Sequence, residues 1–139
     1  MKRIYTLILV LLALASAAIA AGPWKMVLTD ETDGIKLHID LYEESVDVPG
    51  MDMFGPMNGY MAGKGVWGMW MITSFTIDSD NQATLRLSND QGSETQKVRL
   101  TQQSDSTYMM ELQGGVVVKK VVNKKLEKLP AKILLNVKR

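Results

Sequence analysis

The chain has 139 residues, 46% of them hydrophobic and 22% charged, a formal net charge of +1, one histidine and no cysteine. Without cysteine there is no disulfide, no thiolate metal site, no cysteine nucleophile and no lipid-modified N-terminal cysteine. A near-neutral charge gives no reason to expect nucleic acid as a partner.

Residues 1–20 read as a signal peptide. Lys2 and Arg3 precede an apolar run from Ile4 to Leu14, and Ala18-Ile19-Ala20 supplies small residues for cleavage, with Ala15-Ser16-Ala17 as the alternative cut. The run is short for a membrane span and no stop-transfer pattern follows it, so an uncleaved anchor is the weaker reading and no integral membrane segment is expected after cleavage. Removing 20 of the 139 residues leaves 119, enough for a single domain over 21–139, and losing Lys2 and Arg3 shifts the net charge from +1 to −1. A compact signal without cysteine fits a periplasmic or secreted protein, with bacterial export favoured.

From there the pattern is period-two alternation interrupted by turn residues. The segment 24–29 alternates Trp24, Met26 and Leu28 against Lys25, Val27 and Thr29. Segment 35–42 puts Ile35, Leu37, Ile39 and Leu41 on one face and Lys36, His38, Asp40 and Tyr42 on the other. Segment 66–77 is apolar on both faces and reads as a central strand, its odd face (Trp67, Met69, Met71) in the core. Strands follow at 83–88, 93–101, 107–112, 116–122 and 131–138, with a hairpin turn at Gly92 and one helical turn expected within 123–129. Eight short-linked strands predict an all-β antiparallel meander closing into an up-and-down barrel, with a β-sandwich as the alternative.

Charge is unevenly distributed. Between Asp30 and Asp52 there are eight carboxylates and one lysine, whereas from Val116 onward eight basic residues face Glu127 alone. Barrel closure would bring the acidic N-terminal strands beside the basic C-terminal one. The lysines then serve cross-strand pairing and a solvated edge, in preference to a membrane or nucleic-acid patch.

Gly22-Pro23-Trp24 opens the first strand with a Gly-x-Trp, and the same form recurs at Gly65-Val66-Trp67 and Gly68-Met69-Trp70. With its length and strand count, the chain resembles small secreted lipocalin-like proteins, in which this tryptophan closes the base of the barrel. The resemblance implies one open end and an apolar cavity. The family's helix before the last strand has only 123–129 to supply it.

Catalytic groups are sparse. His38 is the sole histidine and falls on the outward phase, and the carboxylate pairs Glu43-Glu44 and Asp78 with Asp80 sit in hydrophilic turns. No Gly-rich phosphate loop, Gly-x-Ser-x-Gly elbow or HExxH occurs, so no enzyme is expected. Residues 51–70 hold five methionines, two tryptophans and five glycines. Thioethers are soft ligands, so a Cu(I)-binding protein is one alternative. Methionine also fills irregular apolar interiors, and because it recurs in several strands while His38 points away, packing is the preferred reading and no metal or cofactor is expected.

The Gly-rich segment 49–65 is either a lid or a hairpin turning at Asn58-Gly59. Either brings Phe54, Met57 and Tyr60 towards the barrel mouth, so the candidate binding residues are Phe54, Met57, Tyr60, Trp67, Met69 and Met71. The sequence thus points to an exported, non-catalytic protein holding an apolar small molecule or a protein partner, with an inhibitor or assembly partner acting through its loops as a further alternative.

Overall fold

The computed structural model describes residues 23–90, 94–115 and 118–138; the leader, Gly22 of the first Gly-x-Trp and Gly92 lie outside the described residues. Among the described residues ten strands form: β1 (Lys25–Asp30), β2 (Ile35–Asp40), β3 (Gly59–Gly63), β4 (Trp70–Ser79), β5 (Gln82–Asn89), β6 (Thr95–Gln102), β7 (Thr107–Gly115), β8 (Lys119–Val122), β9 (Lys125–Lys128) and β10 (Lys132–Val137). β1 to β7 run as an antiparallel meander, and β10 pairs with both β7 and β1 to close an eight-stranded barrel. β8 and β9 stand outside the barrel as a two-stranded hairpin.

Closure follows from alternation. Leu28, Leu37, Ile39, Ala83, Leu85, Leu87, Val98, Leu100, Met110 and Leu135 are each 0% exposed and fill the interior. Strand β4 changes phase partway: Trp70 and Ile72 point inward, a register irregularity follows between Ile72 and Ser74, and Phe75 then packs against the same core. A bulge that inserts one residue has this effect on a period-two pattern.

The strand directions fix two ends. Near the chain start, Trp24 is 2% exposed and meets Tyr108 edge-on at 6.0 Å between ring centroids. The Tyr108 hydroxyl donates to the Pro23 carbonyl at 2.7 Å, and burial, with Tyr42 and Asp105 adding repulsion, pushes its pKa up to about 12. Trp24 thus closes this end. At the other end the chain leaves β7 for the hairpin, and Val118 and Leu129 at the hairpin's base join the main core.

Several expectations are corrected. The long strand expected over 66–77 begins only at Trp70, because Gly65 and Gly68 take positive φ and turn the chain before it. The inward face of that strand is carried by even residues before the bulge, not by Trp67, Met69 and Met71. The described part of the strand expected over 116–122 is β8, which lies outside the barrel; β3, within the Gly-rich segment, takes the eighth place. Segment 123–129 is no helical turn: Asn123 and Lys124 both have positive φ, as a two-residue hairpin turn requires, and β9 follows.

The charge asymmetry is resolved at one contact. The β1–β10 seam pairs Leu28 with Val137 and Thr29 with Asn136, so few charges meet along it. Instead Lys120 of the hairpin reaches Asp33, in the β1–β2 turn, at 2.7 Å.

Candidate functional site

Between β2 and β3 the chain leaves the barrel for a flap, residues 41–58, which folds back onto the outside of the wall. Asp40 sets its root. This residue, expected to face solvent, is 1% exposed and accepts from the amides of Tyr42 and Glu43, each at 3.0 Å, and from the Ser45 hydroxyl. Burial pushes the carboxyl up, but the donors from Ser45, Glu43 and Tyr42, aided by Lys25, outweigh it and hold the pKa below its ordinary value. Asn58 closes the root by donating its amide to the Asp40 carbonyl at 3.1 Å, while its own carbonyl accepts from the Asp40 amide at 2.7 Å.

Above the root, Val46 and Met57 exchange two backbone hydrogen bonds of 2.9 and 2.8 Å. Val46 and Val48 are each 2% exposed. With Tyr60 and Met71 they make a second apolar cluster, separate from the barrel core, against which Met51, Met57, Ala62 and Met69 also pack. The cluster covers the wall where it is thinnest: β3 and β4 pair only through Tyr60 with Met71 and Met61 with Trp70. Gly50 and Gly55, both at positive φ, turn the chain on either side of a short 3-10 turn over Asp52–Phe54.

One row of the outer wall carries most of the chemistry. Register aligns His38 with Tyr60 and Tyr60 with Met71 across β2, β3 and β4. The His38 ring meets Tyr60 edge-on at 5.8 Å, and the Lys36 ammonium lies 5.8 Å from the centre of the same ring. Burial first, then Lys36, lower the imidazole pKa, against a weaker opposing pull from Asp40. The expectation that the histidine points away from the methionines is therefore corrected: it shares their face.

Of the expected binding residues, Met57, Tyr60, Met69 and Met71 come together here, on the outside of the barrel rather than at its mouth. Phe54 stands at the flap tip, 57% exposed beside Met53 at 80%. Trp67 is elsewhere, 54% exposed in the turn before β4. Sequence reasoning missed Val46, Val48, Met51 and His38 as members of this region. The signal for the valines was present as Val46-Asp47-Val48, two apolar residues at strand period inside an acidic stretch.

A groove of about 650 Å³ lies elsewhere along β4 to β7, its lining including Ser74, Thr76, Asp78, Thr84, Arg86 and Lys97. Thr84 and Thr76 donate to the Asp78 carboxylate at 2.6 and 3.0 Å, so these three side chains satisfy one another. Among the described residues no helix is long and apolar enough to cross a membrane. Comparison with family models, curated proteins and solved structures gives no match for this chain.

Proposed function

We propose that the chain is an exported, non-catalytic binding protein of lipocalin-like design that takes an apolar ligand or a protein partner at the flap rather than inside the barrel. One observation carries this reading: Met53 and Phe54 stand exposed at the tip of a flap whose Val46 and Val48 are buried against the wall. An apolar tip held on a fixed base is suited to docking, and the thioethers beneath it can repack around different shapes. The sole imidazole, occupied in packing on Tyr60, favours binding over acid–base chemistry.

Native mass spectrometry of the protein purified from its own compartment tests this. The expected result is a chain shortened by the leader, carrying an apolar molecule or a partner that the double variant Met53→Ser, Phe54→Ser does not retain. Retention by the double variant, or an exported chain with its original N-terminus, would refute the corresponding part of the reading.

A second reading is Cu(I) binding. The observation in its favour is the row His38, Tyr60, Met71 with Met51, Met57 and Met69 packed around it, which gathers four thioethers and the sole imidazole on one face.

A further inference from the structure

The hairpin end of the barrel carries a second exposed apolar surface, independent of the flap. Strand β8 pairs with β9 so that Lys119 faces Lys128 and Val121 faces Leu126. On the other side of β8, the turn segment before β4 runs alongside through one antiparallel bridge, Val66 with Lys120. The Val121 amide donates to the Gly65 carbonyl at 2.7 Å, and the Trp67 amide donates to the Lys119 carbonyl at 2.9 Å.

This register sorts the side chains onto two faces. Val66 packs against the barrel core and Lys120 reaches Asp33, so their face points inward. Trp67, Lys119, Val121, Leu126 and Lys128 therefore share the outward face. Trp67, Val121 and Leu126 are 54, 46 and 58% exposed. Gly65, between Trp67 and the hairpin tip, keeps the segment close, since a Cβ there would lie 2.8 Å from the Val121 carbonyl oxygen.

Trp67 is held in this position. Its carbonyl accepts from the Asn89 side chain at 3.0 Å and from the Trp70 indole at 3.2 Å, so the backbone is clamped to the barrel and the ring projects. Lysines surround the apolar centre: Lys119 and Lys128 at the hairpin base and Lys124 in the turn at its tip, all exposed, while Lys125, opposite Val122, belongs to the other face. The hairpin's only acid, Glu127, sits opposite Lys120 in the register and so belongs to the other face.

We propose that this face docks on an anionic lipid bilayer, with Trp67, Val121 and Leu126 entering the headgroup region and Lys119, Lys124 and Lys128 lying against the acidic lipids. An indole at the polar boundary and lysines around a small apolar centre match the layers of such a surface. Charge complementarity distinguishes this occupant from a second copy of the chain, which would set lysine against lysine.

The test uses the protein in the form its host accumulates, mixed with vesicles of phosphatidylcholine or of phosphatidylcholine with phosphatidylglycerol. Trp24 and Trp70 are buried, so quenching by brominated phosphatidylglycerol reports on Trp67. The expected result is binding and quenching with the anionic vesicles only, weakened by salt. Lys119→Gln with Lys128→Gln should weaken binding about tenfold, since each lysine acts through its charge. Leu126→Thr should weaken it several-fold at unchanged charge. Absence of quenching, equal binding to neutral vesicles, indifference to Leu126→Thr, or equally tight binding to duplex DNA would each overturn the proposal.

Discussion

Two excursions leave the meander, and they are built in opposite ways. The flap is acidic, grows from the end closed by Trp24, and buries Val46 and Val48 in a cluster of its own on the barrel wall. The hairpin is basic and grows from the opposite end. Its base residues Val118 and Leu129 join the main core, while Val121 and Leu126 face outward. The flap's structure therefore rests on side-chain burial, which tolerates irregular backbone. The hairpin rests on backbone pairing, which needs regular strands but leaves one face available.

The strongest test of this contrast is at Trp24, which links the flap root to the barrel: its carbonyl accepts from the Leu41 amide at 2.9 Å and its amide donates to the Tyr42 hydroxyl at 3.4 Å. Trp24→Ala should cost about 3–5 kcal/mol in denaturant unfolding, as truncation of large core aromatics does. A loss below about 0.5 kcal/mol would mean that Trp24 does not close the barrel.

Next is Asp40→Ala, which leaves the Tyr42 and Glu43 amides and the Ser45 hydroxyl without their acceptor. The expected cost is about 1–3 kcal/mol at neutral pH. Because the folded-state pKa is lowered, this contribution is fully present above the unfolded carboxyl's value near 4 and fades as pH falls through the folded one. Wild type and variant should therefore converge in stability towards low pH, provided unfolding remains reversible. A gap that stays constant or widens on acidification would mean that the carboxylate's charge does not matter to the root.

Much of the barrel was legible because alternation survives wherever one face is buried, as at Ile35, Leu37 and Ile39. It was not legible where another constraint intervened. Segment 66–77 is apolar throughout, so its pattern could not reveal that Gly65 and Gly68 turn the chain first, or that a bulge later exchanges its faces. Strand β3 was hidden among glycines, yet Gly59 is required there because a Cβ would collide with the His38 carbonyl. By phase alone Asp40 faces solvent, because the Tyr42, Glu43 and Ser45 donors that accompany its burial lie in the following loop. Met57, Tyr60, Met69 and Met71 meet because both wall faces of β3 and β4 are covered, one by the core and one by the flap, which alternation alone does not reveal.

At the cluster, Met69→Leu and Met71→Leu nearly conserve volume and should each cost less than about 1.5 kcal/mol. If the thioethers only pack, the double variant keeps its affinity for apolar ligands, and neither protein competes with a Cu(I) chelator. Tight stoichiometric Cu(I) binding by wild type that vanishes in the double variant would establish the metal reading instead. At the hairpin, the Asp33–Lys120 pair has side chains only 17 and 16% exposed. A double-mutant cycle with Asp33→Asn and Lys120→Gln should return a coupling of about 0.5–1 kcal/mol, falling with added salt. No coupling would leave the backbone bonds as the hairpin's main tie to this end.

The smallest effect is expected on the outward face of the hairpin. Val121→Thr retains β-branching, and threonine at Leu126 remains a good strand former, so the change isolates apolar contact from strand propensity. Both side chains are about half exposed, and the interactions that fix the hairpin lie in its backbone and on its inner face. The double variant should unfold within about 0.5 kcal/mol of wild type, the range of ordinary surface substitutions. Threonine at Val46 and Val48 removes apolar groups from a closed cluster and should cost more than the hairpin change. Equal losses at the two regions would end the contrast between them. A large loss confined to the hairpin, and dependent on protein concentration, would mean that its outward face is buried between two copies of the chain. With stability unchanged, any loss of vesicle binding in Leu126→Thr belongs to the surface itself and not to a weakened fold.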